Sequence, residues 1–475
     1  MPRLIAMREG LAWDELYLYS LVHDQGLGAM LDAVRATEKT PPLGFVTAWL
    51  PDRLGGPPQL IRLPALIAGL SLVPLTALLA RRAFGSTAGL AAAALAAASP
   101  FLLFYSVEAR SYSLTAALAL GSTLLLLRAL DNASKRDWVA YSLLGAAALM
   151  SHYTAVSVLA VQFGWALATR PDRRRAALLA QAAPLLATLA WLPSMADQVR
   201  NSSDELARLS AAAPLSLDTL GRLIGRTLVG NPFVALDRVP GSAALVAIAI
   251  GATIAAGFAL ARFVEWSRLD ERPKPKAETM LLVLIAVAPL ALALLVSLQP
   301  KQSMLLPRNV LVGLPAALAL VSALLVRPPR PAAAAACALV IGGLAVGSAV
   351  ALTEGRRPAS REAALAVSSR WKPGDRILDL CCIAGARGPL GTAVAINLPE
   401  DRRAALSIVT LRGNGIYDEV LRERGRLFVI GSRIEGNKDL ILFSPPKGWP
   451  DAYRPVWSKR WPGVVETEAI EYVPR

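Results

Sequence analysis

The sequence predicts an all-α polytopic membrane domain of about ten spans, followed by a small α/β or α+β extracytoplasmic domain. The chain has 475 residues, of which 54% are hydrophobic, and a mean hydropathy of +0.45, above that of soluble domains. Its Ala-, Leu- and Val-rich runs have about the twenty residues that a helix needs to cross a bilayer. From about residue 355 the composition changes to charged residues, turns and short β-rich runs, so the membrane domain should end there.

Ten apolar runs are candidate membrane spans. They are residues 61–81, 86–104, 112–130, 138–150, 153–169, 176–194, 242–262, 279–298, 308–326 and 332–352. The fourth and fifth runs are short, and they could be two half-length helices that meet near Ser151 and His152.

Basic clusters between the spans predict the orientation of the chain, because cytoplasmic loops carry an excess of Lys and Arg. Alternation through the spans places all five clusters on the cytoplasmic side, provided that 138–169 is a hairpin. The clusters are Arg81-Arg82, Lys135-Arg136, and residues 170–175, 271–276 and 327–331. Residues 1–60 would then lie outside, which predicts one further transmembrane helix upstream of Met1.

Charge and cysteine content exclude two other classes. A net charge of +15 is compatible with nucleic-acid binding. No basic cluster alternates with aromatic residues as a nucleic-acid surface would, and basic membrane loops account for the charge. No nucleic acid is therefore expected as a partner, and three cysteines are too few for a disulfide framework.

The predicted organisation has three parts: residues 1–60 form the first extracytoplasmic loop, 61–354 the transmembrane domain, and 355–475 the extracytoplasmic C-terminal domain. In the first loop, Leu27, Met30, Leu31 and Val34 have helical i, i+3, i+4, i+7 spacing and predict an amphipathic helix. Such a helix would lie in the membrane interface or pack on the protein's own core, and the spacing alone leaves both open.

The C-terminal region contains several β-rich runs and two probable helices, 360–370 and 416–424. The β-rich runs are residues 376–383, 392–398, 426–431 and 439–444. The stretch LDLCCIAGARG (378–388) superficially resembles a nucleotide-binding glycine-rich loop, but its glycines do not fit G-x-G-x-x-G spacing. A buried strand that contains Cys381 and Cys382 is the preferred interpretation.

Several polar residues of the membrane domain are predicted to face the outside, and charges near spans often mark sites. They are Asp14, Glu15, Glu38, Lys39, Glu108, Arg110, His152, Lys301 and Arg308. Structural explanations exist as well. Asp14 and Glu15 could simply start a helix, Arg308 could extend to lipid headgroups, and His152 could be a satisfied buried histidine.

The order of motifs resembles the GT-C membrane glycosyltransferases. WDE (13–15) is followed by EKTPPLGF (38–45), the span that begins LIRLPALIAG (60–69), SPFLLFYSVEARSYSL (99–114), SHYTAVSVL (151–159) and LPRNVLVGLPAALAL (306–320). The resemblance covers roughly residues 10–355. It is nearest the bacterial branch similar to protein O-mannosyltransferases and the aminoarabinose transferase of lipid A.

This resemblance implies an inverting transfer of a sugar from a polyprenyl-phosphate donor, outside the cytoplasmic membrane. A carboxylate should remove the proton of the acceptor hydroxyl, and Asp14 matches the family's base position, with Glu15 as its neighbour. Cations should face the lipid phosphate, and the candidates are Lys39, Arg110 and Arg308. Where some relatives have an arginine soon after the acidic pair, this chain has Leu16-Tyr17-Leu18.

The sequence also suggests a possible metal cofactor and the classes of partner. Glu38, Glu108 and His152 could supply ligands to a divalent metal, as in some relatives, although no spacing defines such a site. The expected partners are the lipid-linked sugar donor, membrane lipid, and an acceptor protein, polysaccharide or glycolipid. The alternatives are a transporter or flippase, which would show mid-span charge pairs and an internal repeat, and a non-catalytic scaffold.

Overall fold

The computed structural model describes residues 2–12, 14–200, 213–267, 277–299, 302–380, 392–409, 416–433, 440 and 448–475. These residues form a helical membrane domain followed by a small domain built on a five-stranded sheet. The fold predicted from the sequence is confirmed.

Four helices precede the first predicted span. They are α1 (Pro2–Ala6), α2 (Asp14–Val22), α3 (Leu27–Thr37) and α4 (Leu43–Asp52). Two residues of the apolar stripe of α3, Met30 and Val34, face the protein and are fully buried beside Leu18, Phe45 and other side chains of α2 and α4. Leu27, at the start of the stripe, is exposed.

The membrane domain continues through fourteen helices. They are α5 (Leu63–Phe84), α6 (Ser86–Ala98), α7 (Pro100–Ser106), α8 (Tyr112–Asn132), α9 (Lys135–Ser151), α10 (Ala155–Thr169), α11 (Arg174–Leu179), α12 (Ala182–Arg200), α13 (Leu217–Val229), α14 (Ser242–Ser267), α15 (Ala277–Ser297), α16 (Pro307–Val310), α17 (Leu314–Leu325) and α18 (Arg330–Ala351).

Within the described ranges, seven helical segments are long and apolar enough to span a membrane, and the bent pair α6–α7 makes up to eight. Each of the ten predicted runs corresponds to helical structure. The two short runs are α9 and α10, and α10 is too short for a regular span. They meet at His152, as the sequence suggested.

The break between α6 and α7 is contacted by the N-terminal helix α1. The helices differ by 63°, and Ser99 and Pro100 begin α7 with a side-chain cap and a proline in the first turn. Arg3 of α1 donates to the carbonyl of Ala96 at 3.1 Å and to the hydroxyl of Ser106 at 3.1 Å. The free carbonyls that the break leaves at the end of α6 are thus bonded by α1.

Helices α5 and α7 pack at very close range. A methyl group added at Gly69 of α5 would lie 2.1 Å from the hydroxyl oxygen of Ser106. Only glycine permits this approach, which places the end of α7, and the loop after it, against the first span.

The C-terminal domain has helices on a mixed sheet of strand order β2-β1-β3-β5-β4. Strand β1 is parallel to β2 and β3, and β5 joins β3 to the edge strand β4 in antiparallel pairs. The strands are β1 (Arg376–Asp379), β2 (Leu406–Ile408), β3 (Leu427–Arg433), β4 (Tyr453–Trp461) and β5 (Glu466–Pro474). The helices are α19 (Ser360–Arg370), α20 (Ala393–Asn397), α21 (Glu400–Arg403), α22 (Ile416–Glu423) and α23 (Trp449–Ala452).

One predicted strand is wrong. Within residues 392–398 the chain forms helix α20, and the hydroxyl of Thr392 accepts the N–H of Ala395 at 3.1 Å and caps its N-terminus. Helices 360–370 and 416–424 and strands within 376–383 and 426–431 are confirmed. The run that contains Cys381 and Cys382 lies outside the described residues, as does all of 439–444 except Leu440, which forms an isolated bridge with Arg433.

Candidate active site

Helix α2 directs Asp14 and Glu15 to different sides of its axis. Consecutive residues of an α-helix are rotated by about 100° because one turn takes 3.6 residues. Glu15 is completely buried, whereas the side chain of Asp14 is 44% exposed. The acidic pair therefore consists of one inaccessible and one accessible carboxylate.

The carboxylate of Glu15 is held by Arg62 and by the backbone. Arg62 donates to its two oxygens at 2.7 and 2.6 Å, and the backbone N–H groups of Ala109 and Ala12 donate at 2.9 and 3.2 Å. Arg62 is fully buried and also donates to the carbonyl of Glu9 at 2.7 Å. Glu15 thus joins the start of α2 to the first span and to the loop after α7.

A second buried arginine completes this network. Arg357, which follows the last span, lies 3.4 Å from Glu9, 3.2 Å from Glu15 and 3.3 Å from Glu108, and its side chain is 2% exposed. We call Glu9, Glu15, Glu108, Arg62 and Arg357 the anchor network. Its three carboxylates exceed its two guanidinium groups by one charge.

The pKa values of the carboxylates show how the network accommodates that excess charge. Burial raises the pKa of Glu108; Arg357 opposes the rise, Glu15 and Asp14 add to it, and the pKa is about 7. Burial also acts to raise the pKa of Glu15, but Arg62 and Arg357 outweigh it, so that this pKa falls below its ordinary value. Glu15 is therefore ionised at neutral pH, and Glu108 carries the network's exchangeable proton.

Asp14 faces Arg308, at the N-terminal end of the helical segment that begins at Pro307. A guanidinium nitrogen of Arg308 donates to Oδ2 of Asp14 at 3.0 Å. The two side chains are 29% and 44% exposed, respectively. A carboxylate and a cation are therefore in contact where both are partly exposed.

A second ion pair, Glu38–Arg110, borders the site. Two nitrogens of Arg110 donate to the oxygens of Glu38 at 3.4 and 3.2 Å, and the guanidinium lies over the ring of Phe45 at 5.5 Å. Burial acts to lower the pKa of Arg110, but Glu38 and more weakly Asp14 raise it well above the ordinary value. Lys39 is adjacent to Glu38 and half-buried.

His152 lies buried beside these pairs. Its Nδ1 is 2.9 Å from the hydroxyl of Thr154, and its ring packs edge-on against Tyr112 at 5.4 Å. Burial lowers the pKa of His152 to about 3, with added repulsion from Arg308 and Arg110. The imidazole is therefore neutral at any physiological pH.

The metal site considered from the sequence does not form in the described part of the chain. Glu38 faces Arg110, Glu108 faces Arg357, and His152 faces Tyr112 and Thr154. No three His, Cys, Asp or Glu side chains among the described residues come together as metal ligands. Lys301, the remaining sequence candidate, lies outside the described residues.

Sequence reasoning missed three members of the anchor network: Glu9, Arg62 and Arg357. Arg62 did carry a signal, because a lone arginine that begins an apolar run, between Ile61 and Leu63, needs a partner if it is buried. Arg357 and Glu9 are separated by more than 300 residues, and nothing local predicts their contact.

Comparison with known proteins gives a family match over part of the chain and similar folds among solved structures. Residues 39–196 match the family described as dolichyl-phosphate-mannose-protein mannosyltransferase. No curated protein matches the chain. Among solved structures, ArnT from Cupriavidus metallidurans bound to undecaprenyl phosphate is similar, at a TM-score of 0.53 and 13% identity over 98% of this chain and 95% of that one.

The chain has the fold of a GT-C membrane glycosyltransferase. The apo state of the same ArnT is similar at a TM-score of 0.51 and 14% identity, covering 98% of this chain and 94% of that one. The archaeal oligosaccharyltransferase AglB from Archaeoglobus fulgidus, in complex with an inhibitory peptide and a dolichol-phosphate, has a TM-score of 0.45 and 12% identity; the match covers 90% of this chain and 68% of AglB. With its apolar helices, the GT-C fold makes this a multi-pass membrane protein.

Proposed function

We propose that this protein is an inverting glycosyltransferase that moves a sugar from a polyprenyl-phosphate donor to an acceptor hydroxyl at the outer face of the cytoplasmic membrane. The observation that carries the proposal is the accessible Asp14–Arg308 pair, 3.0 Å apart. The GT-C fold supports it, and so does the undecaprenyl phosphate bound by the similar ArnT.

Asp14 has the chemistry and the access of a general base. An alcohol is a poor nucleophile at neutral pH, and a carboxylate within hydrogen-bond reach can take its proton as the C–O bond forms. Glu15 is buried, accepts four hydrogen bonds and cannot reach a substrate, so we assign it to positioning Asp14. His152 stays neutral and contributes no charge.

Arg308 provides positive charge where the leaving group departs. As the acceptor oxygen bonds to the anomeric carbon, the bond from that carbon to the phosphate oxygen breaks and negative charge grows on the lipid phosphate. Arginine can bind two phosphate oxygens at once, and we assign this contact to Arg308, with Lys39 and Arg110 as further cations. One displacement of this kind inverts the anomeric configuration.

The outer-face location is supported by the distribution of basic residues. The clusters at 81–82, 135–136 and 170–175 lie at the ends of spans opposite to the proposed site in the predicted alternation. Asp14 would then face the side where a lipid-linked donor meets acceptors of the cell envelope.

Transfer by the purified protein tests the proposal. The protein would be reconstituted in lipid vesicles with radiolabelled polyprenyl-phosphate sugars and a cell-envelope extract as acceptor. We expect a labelled product whose new glycosidic bond, determined by NMR, has the opposite anomeric configuration to the donor. Retention would refute a single displacement, and absence of transfer from every donor would refute the assigned activity.

A further inference from the structure

Three consecutive hydrogen bonds, which we call the hydrogen-bond chain, connect α12 to the loop that carries Lys39. The indole N–H of Trp191 donates to the hydroxyl of Tyr153 at 3.1 Å, and this hydroxyl donates to the side-chain oxygen of Gln198 at 2.7 Å. The side-chain nitrogen of Gln198 then donates to the backbone carbonyl of Thr40 at 3.4 Å. The chain ends one residue beyond Lys39.

The two ends of this hydrogen-bond chain are buried and Tyr153 between them is half-buried, so loss of one bond has an energetic cost. Trp191 is 7% exposed and Gln198 is 5% exposed. A buried amide or hydroxyl that loses its partner keeps the full desolvation cost, so each donor in the chain fixes the position of the next acceptor. Arg35 of α3 lies over the Trp191 ring at 5.7 Å and shields its outer face.

Lys39 is therefore flanked by two anchored neighbours. On one side, Glu38 is held by Arg110, and its backbone N–H bonds to Val34 at the end of α3 at 3.0 Å. On the other side, the carbonyl of Thr40 is held by Gln198. The two anchors come from separate parts of the membrane domain, and together they determine where the backbone of Lys39 lies.

We infer that Trp191, Tyr153 and Gln198 are positioning residues that hold the Lys39 backbone so that its ammonium group meets the lipid phosphate. The inference rests on the proposed function, because it takes a polyprenyl phosphate as the ligand of Lys39. These three residues contribute to phosphate affinity through Lys39 and do not contact the phosphate themselves.

Tyr153→Phe is the sharpest perturbation, because it keeps the ring and removes the hydroxyl that takes part in two of the three bonds. Tyr141→Phe is the matched control: its hydroxyl also contacts a glutamine, Gln181, at 3.4 Å, between α9 and the start of α12. Both substitutions delete one tyrosine hydroxyl from a contact with a glutamine side chain, but only Tyr153 is connected to the Lys39 loop.

The readout is binding of undecaprenyl phosphate to the purified full-length protein in detergent. We expect Tyr153→Phe to weaken binding about three- to tenfold, the range that one lost hydrogen bond supports, and Tyr141→Phe to leave it unchanged. In a Lys39→Met background the Tyr153 substitution should have no further effect, because the chain acts through Lys39. Gln198→Met should weaken binding as Tyr153→Phe does. This second variant keeps the test valid if Tyr153→Phe fails to fold.

The outcomes separate this inference from the proposed function. Equal affinity of wild type and Tyr153→Phe, or an equal loss in both the wild-type and Lys39→Met backgrounds, would overturn the inference; so would a wild type that does not bind undecaprenyl phosphate. A wild type that binds the lipid with the expected ratios but transfers no sugar would overturn the proposed function while supporting the positioning role.

Discussion

Substituting Glu15 and Asp14 one at a time should separate a structural carboxylate from a working one. Glu15→Gln preserves volume but removes one charge from the anchor network and turns an amide N–H₂ towards guanidinium donors. Breaking a buried ion pair by removing one partner costs about 3–5 kcal/mol. Asp14→Asn breaks a pair that is 44% and 29% exposed, and such pairs contribute about 0–1 kcal/mol.

Part of the Glu15→Gln cost should be offset inside the network. Without the neighbouring negative charge, Glu108 ionises more readily and balances Arg357, which lies 3.3 Å away. We therefore expect the lower half of that range, about 3 kcal/mol. Thermal unfolding of the purified variants in one detergent gives the comparison, and the midpoint of Glu15→Gln should fall several times further than that of Asp14→Asn. Equal midpoints, or a larger fall for Asp14→Asn, would refute the division of roles.

Three further predictions concern charge and packing. The fold raises the pKa of Glu108 from 4.5 to about 7. Folding therefore takes up a proton, and the wild-type protein loses stability as the pH rises from 4.5 through 7. The free energy of unfolding of Glu108→Gln should accordingly rise relative to wild type by up to about 3 kcal/mol between pH 5 and 8. Arg308→Met should lower kcat/KM for the lipid-linked donor by about 10²-fold, with Arg308→Lys intermediate because lysine binds phosphate as a point charge. Gly69→Ala should destabilise by about 1–3 kcal/mol, since its methyl group meets Ser106.

Each of these has a direct check. Glu354→Gln alters a carboxylate that is 42% exposed and paired with Arg238, and it serves as the control for the loss of one glutamate side chain. A Glu108→Gln difference from wild type that stays constant between about pH 5 and 8 would contradict the proton assignment. Donor kinetics with Arg308→Lys that match Arg308→Met would contradict bidentate binding, and a wild-type unfolding midpoint for Gly69→Ala would contradict the close packing of α5 on α7.

The membrane helices were predictable from the sequence because length and hydropathy suffice to identify them. The hairpin of β4 and β5 was missed, and its contacts explain why. Glu468 and Glu471 of β5 are buried and paired with Arg433 and Arg426, so the strand lacks a simple alternation of apolar and polar residues. Strand β4 is an exposed edge with its charged residues in solvent, which hides the usual pattern as well.

The candidate site was partly predictable. Asp14, Arg308, Arg110 and Glu38 do come into ion pairs beside His152, as the clustering of outward charges suggested. Helical rotation predicts that Asp14 and Glu15 lie on different sides of α2. Which of the two is buried depends on how α2 packs, and the sequence does not show this. The contact of Arg357 with the first loop depends on the complete fold, and no local pattern indicates it.

The most direct test of the central claim is the rate of sugar transfer by Asp14→Asn relative to Asp32→Asn. Asp32 also pairs with an arginine at 3.0 Å, on the exposed surface of α3, and serves as a matched carboxylate outside the site. Loss of a general base lowers the rate by about 10²- to 10⁴-fold, so Asp14→Asn should fall in that range at nearly unchanged stability, while Asp32→Asn stays at the wild-type rate. Full activity of Asp14→Asn would contradict the claim that this carboxylate activates the acceptor.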